Sequence, residues 1–446
     1  MTVSRTICLG FLAVIAIGTL LLLLPVSTSH GVWSWEHSIV ALFTATSAVC
    51  VTGHIVVDTG TYFSPFGQFV ILALIQIGGL GYMTATTFLF LLVGRKFGLR
   101  DKVALQQALD RTGIHGAAQV IRSIIATTMI FEITGAFLLM TEFSPQYGID
   151  RSLWLSIFHS VSAFNNAGFS LFSDSLIGFQ SSPLINVVIP GLIIFGGIGY
   201  ETIFELYLWL RTRFKKRPEQ IILSLNFKVA ISTTLTLLVL GTIAFLLVEL
   251  RNPNTFGSVE FSTQMMAAWF QSVTTRTAGF NTVDIGSMTT AGLFLTIAFM
   301  FIGGSPGGTA GGIKTTTLRV MTSCTKAILR GREEVTLYGR QIPINLILKA
   351  VGVVVGSFGT LIIMTMLISL SDPEVDFIKI LFEVVSAFAT VGLSTGITAG
   401  LSTFAKLVLI ATMYIGRVGV LLLMAALAGD PKPSFVHYPE ENLLVG

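Results

Sequence analysis

Four stretches decide the architecture: FTATSAVCVTG at residues 43–53, FHSVSAFNNAG at 158–168, WFQSVTTRTAG at 269–279 and FEVVSAFATVG at 382–392. Each opens on a large aromatic (Phe43, Phe158, Trp269, Phe382) and closes ten residues later on a glycine (Gly53, Gly168, Gly279, Gly392). The glycines are 115, 111 and 113 residues apart, and a serine stands six residues before three of them (Ser47, Ser162, Ser386), with Val273 as the exception. A second echo follows each stretch: IGGLGYMT at 77–84, FGGIGYET at 195–202, IGGSPGGT at 302–309 and IGRVGVLL at 415–422. Self-similarity at a near-constant period marks a repeat architecture. The chain is four copies of one unit.

The solvent of those units follows from composition. Of 446 residues, 52% are hydrophobic and 11% charged, where a soluble domain carries about 25% charged residues. Eight apolar stretches reach membrane-spanning length, at about 6–26, 66–94, 120–141, 184–210, 229–249, 291–325, 346–369 and 403–428. Within each pair, a semi-apolar segment of about 12–15 residues leads up to the glycine. Such a segment is too short to cross a bilayer and suits a re-entrant pore helix, tolerated at that depth only where protein or a water-filled cavity surrounds it. The expected fold is an all-α membrane protein. Eight transmembrane helices form four parallel outer-helix, pore-loop, inner-helix repeats (1–98, 99–214, 215–335, 336–446) around a pseudo-fourfold ion pore. The longest interval between apolar runs, about 95–122, is shorter than the roughly 50 residues of a small domain. Nucleotide-dependent energy or control is therefore expected from another chain. The apolar run after Arg5 ends without an A-x-A site and reads as a retained helix rather than a cleaved signal.

Charge placement sets the orientation. Loops between repeats carry Arg95, Lys96, Arg100, Lys102, Arg111 and Arg122, then Arg211, Arg213, Lys215, Lys216, Arg217 and Lys228, then Arg319, Lys326, Arg330, Arg332, Arg340 and Lys349. With Arg5 and Lys432 that face holds 20 basic residues, against four (Arg151, Arg251, Lys379, Lys406) on the pore-loop face. The positive-inside rule then puts both termini in the cytoplasm and opens the pore loops outward. Basic residues spread along membrane-flanking loops give no surface for nucleic acid, and none is expected as a partner. Cys8, Cys50 and Cys324 lie in or beside apolar segments without CxxC spacing, which supports neither disulfides nor a zinc site.

An ion filter replaces a hydration shell with a ring of oxygens. Backbone carbonyls serve if successive residues turn them toward one axis, which needs dihedrals that glycine tolerates. The expected walls are Val51-Thr52-Gly53, Asn166-Ala167-Gly168, Thr277-Ala278-Gly279 and Thr390-Val391-Gly392. No acidic side chain lies in them, so carbonyls rather than carboxylates would select the ion, with the negative ends of the pore-helix dipoles favouring cations. One glycine would be read as a close helix contact; four in register are a ring. Below the third wall, Gly303-Gly304-Ser305-Pro306-Gly307-Gly308-Thr309-Ala310-Gly311-Gly312 cannot hold a regular helix. It is not a phosphate loop, because Ile313 separates Gly312 from Lys314 and no strand precedes it. Arg417 lies midway along the fourth inner segment where the other repeats have glycine, and an arginine at membrane depth is a functional candidate. Arg276 is expected to brace the filter from behind through carboxylates or carbonyls, with Glu132, Glu201, Glu205 and Glu383 as possible partners.

On these residues the chain resembles the Trk/Ktr/HKT superfamily of potassium transporters, and within it the bacterial Ktr branch, over nearly its whole length. The resemblance implies potassium as the transported ion, sodium dependence or coupling, and a homodimer in the lipid bilayer of the bacterial cell membrane. It also implies a cytosolic KtrA-like regulatory ring that binds ATP or ADP, and a gate in which an arginine matching Arg417 works with the broken loop. Plant members with serine at the first ring position prefer sodium; here that position is Gly53. The rival within the superfamily is a TrkH-like subunit, and outside it a secondary transporter of a small organic solute. The latter would predict inverted repeats, whereas these are parallel.

Overall fold

The computed structural model describes residues 3–29, 35–94, 114–213 and 222–428. Arg95, Lys96, Arg100, Lys102, Arg111, Lys215, Lys216, Arg217 and Lys432 lie outside the described residues. So do the expected repeat boundaries at 98/99 and 214/215.

Each repeat runs outer helix, pore helix, extended wall, inner helix. The outer helices are Val3–Leu22, Ile114–Tyr147, Leu225–Glu249 and Ile344–Ser371. All four turn large apolar side chains outward, among them Ile17, Phe137, Leu247 and Leu370, each more than half exposed. In water such faces would be a liability; in a bilayer they meet lipid. The pore helices are Trp35–Val49, Ile149–Phe164, Phe261–Thr274 and Phe377–Phe388. They carry the aromatics Phe43, Phe158 and Phe382 fully buried in one continuous core, with Trp269 packed against it. The helices are short because each stops at the wall that follows it.

The inner segments all begin at a Ser or Thr cap. Ser64 Oγ accepts from Gly67 N at 3.2 Å, Ser182 from Ile185 N at 3.3 Å, Thr289 from Gly292 N at 3.0 Å and Ser402 from Ala405 N at 3.2 Å. Proline at 65 and 183 occupies the first helical position, where its missing N–H costs nothing.

Of the eight expected spans, four are continuous helices of crossing length, namely the outer helices within their described parts. Two are bent pairs, the first inner segment is the 30-residue helix Pro65–Gly94, and the third holds the shorter apolar helix Thr290–Met300. The apolar stretches at 184–210 and 403–428 are each interrupted by a bend. The second inner segment is Pro183–Ile198 followed by Tyr200–Arg213, bent by 104°, and the fourth is Thr403–Val418 followed by Val420–Leu427, bent by 95°. The breaks fall on Gly199 (φ +90°) and Gly419 (φ +88°), left-handed positions that end a helix where glycine makes them cheap. The third inner segment breaks over residues 303–312, as its glycines and proline require, and resumes at Thr315–Leu329. The first runs unbroken through the equivalent Gly81, as Pro65–Gly94. Three of the four inner segments thus interrupt at one level. A small ribbon, Thr336–Leu337 paired with Arg340–Gln341, follows the third inner segment and buries Val335, Leu337 and Ile342 beside Val229 and Ile347.

Candidate ion pathway

Each wall has left-handed backbone at its first and third residues. The first residues are Val51 (φ +56°), Asn166 (+59°), Thr277 (+66°) and Thr390 (+52°); the third are Gly53 (+86°), Gly168 (+70°), Gly279 (+79°) and Gly392 (+89°). Strands in a sheet alternate their carbonyls between two sides; alternating the hand of successive residues instead turns them to one side, which is what an ion-coordinating wall requires. The expectation that glycine alone would supply the unusual dihedrals is therefore incomplete. Residues with a Cβ pay roughly 1–2 kcal/mol each for a left-handed conformation. Asn166 pays least, and β-branched Val51, Thr277 and Thr390 must be held there by their surroundings.

The pore helices do the holding. The middle residue of each wall donates its N–H back to a pore-helix carbonyl: Thr52 to Ser47 at 2.8 Å, Ala167 to Ser162 at 2.7 Å, Ala278 to Thr274 at 3.0 Å and Val391 to Ser386 at 2.8 Å. Hydroxyls reach forward past the glycine: Ser162 to the Phe169 carbonyl at 2.8 Å, Ser386 to Leu393 at 2.7 Å and Thr274 to Phe280 at 2.5 Å. Val273, the exception in the serine column, is answered by the hydroxyl of the next residue.

The four walls meet as a closed ring. A Cβ on Gly53 would strike the carbonyl of Ala167, on Gly168 that of Ala278, on Gly279 that of Val391, and on Gly392 that of Thr52. Each repeat thus packs its glycine against the next repeat's middle carbonyl, and the fourth returns to the first. The described walls stand around one axis.

Beneath the ring lies the interrupted third segment. The loop is anchored to the second inner segment by Ser305 N to Gly197 O at 2.9 Å, Thr309 N to Gly196 O at 3.1 Å and Tyr200 N to Gly307 O at 3.3 Å. Thr309 Oγ1 sits 3.0 Å from the Asn166 amide of the second wall. Gly311 approaches the fourth wall so closely that a Cβ would meet Thr390 Oγ1 and the Ala389 carbonyl. Lys314 turns back to the Ala310 carbonyl at 2.6 Å. Arg417 is the largest fully buried side chain described. Its guanidinium donates to the carbonyl of Thr309 in the loop and to that of Gly78 in the first inner helix, the latter at 2.9 Å. The loop residues and Arg417 therefore form one hydrogen-bonded layer below the walls.

Arg276 meets a carbonyl, one of the two kinds of partner expected for it. It is buried, and Nη2 donates to the Gly303 carbonyl at 3.3 Å, at the start of the loop, while Nε and Nη1 make no hydrogen bond among the described groups. Three of the four proposed glutamate partners are engaged elsewhere. Glu132 binds Gln76 at 3.1 Å and Asn165 at 3.0 Å, Glu205 accepts from Ser224 N at 2.9 Å, and Glu383 takes His54. No ion pair to Arg276 occurs among the described residues. A neighbouring carbonyl has no signature in sequence, whereas candidate carboxylates can be named from it.

The pair His54 and Glu383 and the Gln76–Glu132–Asn165 cluster behind the second wall were not singled out as sites by sequence. They sit outside the repeated glycines, and only the aligned columns, where His54 stands beside Phe169, Phe280 and Leu393, carry a signal for the first.

Comparison with known proteins agrees with this geometry. Residues 5–438 match the family described as TrkH, cation transport protein. The chain is 39% identical to Ktr system potassium uptake protein B of Bacillus subtilis, covering 100% of this chain and 97% of that one. It is 37% identical to the potassium/sodium uptake protein NtpJ of Enterococcus hirae, over 99% and 97%. The fold superposes on the crystal structure of the potassium transporter TrkH from Vibrio parahaemolyticus with a TM-score of 0.69 at 18% identity, covering 95% of this chain and 85% of that one.

Proposed function

The chain belongs to the TrkH family of cation transport proteins, and from that premise we propose that it is the potassium-translocating membrane subunit of a bacterial uptake system. The carrying observation is the closed ring, in which each glycine lies against the next repeat's carbonyl. An ion entering from outside exchanges water for carbonyls of Val51, Thr52 and Gly53 and their counterparts in the other walls, then passes the level of residues 303–312. Loop and Arg417 act there as the gate. The relatives named for potassium uptake support potassium as the ion, and Gly53 in the first wall fits that reading.

The finer reading has four parts. Uptake depends on sodium; the chain works as a homodimer in the bacterial inner membrane with both termini cytoplasmic; a separate KtrA-like ring docks on the basic cytoplasmic face; and ATP or ADP acts on that ring, not on this chain. The name of a relative as a Ktr system protein supports a partner subunit. Expression in a strain lacking its own potassium uptake tests the core of the proposal: growth at low external potassium is expected, stronger with a ring protein co-expressed and with sodium present. No growth under any of these conditions refutes potassium uptake. Mass measurement in detergent tests assembly, with a dimer expected alone and a larger complex with the ring; a strict monomer that never binds it removes both partners.

A further inference from the structure

One joint of the ring is built unlike the others. The residue after the ring glycine is Phe169, Phe280 or Leu393 in three walls, all buried and apolar, but in the first wall it is the fully buried His54. His54 Nε2 lies 3.1 Å from the carbonyl oxygen of Leu393 and 3.2 Å from Glu383 Oε2. Both are acceptors, so Nε2 is the donor. Glu383, next to Phe382 on the fourth pore helix, is fully buried as well. Its Oε1 accepts from Ser394 Oγ at 2.8 Å, Thr395 N at 2.8 Å and Thr395 Oγ1 at 3.1 Å, and its Oε2 from Thr398 Oγ1 at 2.8 Å. Every group facing it donates, which suits a carboxylate. One side chain therefore fastens the turn that follows the fourth wall and, through His54, the outer end of the first. The same two walls touch in the ring, where a Cβ on Gly392 would meet Thr52 O and Gly53. Across the ring, His159 of the second pore helix faces Phe280 of the third wall with ring centroids 6.1 Å apart, but its nitrogens stay within its own repeat, on Leu155 O and Ser170 Oγ. The second-to-third joint is tied instead beyond the walls, where Asn281 N donates to Ser175 Oγ at 3.2 Å and Leu176 N to the Asn281 carbonyl at 3.0 Å; the first-to-fourth joint differs in being tied through a buried carboxylate and imidazole.

We propose that His54 and Glu383 are specificity-positioning residues, a clamp that holds the first and fourth walls at the spacing a dehydrated potassium ion needs. The inference rests on reading the four walls as the filter. A carbonyl ring discriminates against the smaller sodium ion only if it resists closing around it, whether through cavity size or through the number of carbonyls it can bring to bear. The Leu393 carbonyl, tied by Ser386 Oγ from its own pore helix and by His54 from the adjacent wall, is a fixed point against such closing. Among the described residues, no other side-chain hydrogen bond joins these two walls.

The test measures the ratio of apparent potassium to sodium affinities in competitive uptake, with membrane levels matched by immunoblot. His54→Phe copies two of the other walls, and Glu383→Gln keeps size while removing charge. Each is expected to lower the ratio at least about threefold, a part of the tenfold or more that one lost hydrogen bond to a charged group can supply. His54→Gln, whose amide can still donate to the same oxygens, is expected to recover most of it. Leaving one partner of a buried pair alone is strongly destabilising, whereas replacing both by apolar groups is often neutral for folding. The double variant His54→Phe, Glu383→Leu therefore separates clamp from stability: it is expected to assemble and to discriminate poorly. A double variant that assembles and keeps the native ratio overturns the clamp, even where the single variants fail to assemble. Gly53→Ser is run alongside. If it shifts the ratio and the clamp variants do not, only the clamp is wrong; if it too leaves the ratio unchanged, the filter reading itself fails.

Discussion

Gly53→Ser is expected to cut the preference for potassium over sodium by at least about tenfold, roughly 1.4 kcal/mol, while the protein still assembles. Gly53 sits at φ +86°, and a Cβ there would strike the Ala167 carbonyl of the neighbouring wall. Backbone cannot yield as a flexible side chain can. The serine must push the second wall away or rotate its own peptide, and both displace an oxygen of the ring. The added hydroxyl also brings a compact ligand that a small, strongly hydrated ion uses well. The local conformational cost, about 1–2 kcal/mol, is small beside the burial of an entire membrane domain, so assembly is expected to survive. Competitive uptake of the two ions at matched membrane levels reads the effect. An unchanged ratio takes Gly53 out of the filter.

The repeats, the ring glycines and the broken third segment were legible because each rests on local chemistry that recurs four times. A glycine in register with three others, or a ten-residue run rich in glycine in which no helix can form, needs no knowledge of what surrounds it. The left-handed residues at Val51, Thr277 and Thr390 were not legible, since a β-branched residue argues against that conformation and only the pore helix behind it tips the balance. Gly81, Gly199 and Gly419 make the same point. The three are equivalent in sequence, yet the helix continues through the first and breaks at the other two. At Gly199 the difference is on view in the packing, where the loop carbonyl of Pro306 occupies the space a Cβ would need and Gly307 O receives the N–H of Tyr200. His54 stands out only as the odd residue of its column, and its pairing with Glu383, like that of Arg276 with a backbone carbonyl, carries no periodic signal. Discovery of such pairings waits on topology.

Arg417→Ala is expected to raise potassium flux several-fold and to weaken its dependence on a regulatory partner. So is shortening the loop within Gly307–Gly311. The guanidinium joins three repeats at once: it donates to Thr309 O in the third and to Gly78 O in the first from a helix of the fourth. Alanine keeps the helix, which breaks two residues later at Gly419 in any case, but removes both bonds and the charge. A hydrogen bond from a charged donor is worth about 1.5–3 kcal/mol. Losing even one shifts a closed-to-open ratio by about tenfold or more, provided the open loop does not make the same bond. The charge acts in the same direction, because a buried cation just below the proposed filter opposes the ion that leaves it. Lysine at 417 separates the two effects: its single ammonium keeps the charge without the planar fork that spans two carbonyls. Flux for Arg417→Lys is therefore expected between native and alanine values. Radioactive rubidium uptake into vesicles, with and without the ring protein, gives both flux and partner dependence. Native flux and full partner dependence in both Arg417→Ala and the shortened loop would mean that the glycine-rich segment is a fixed kink and that the barrier lies elsewhere along the pore.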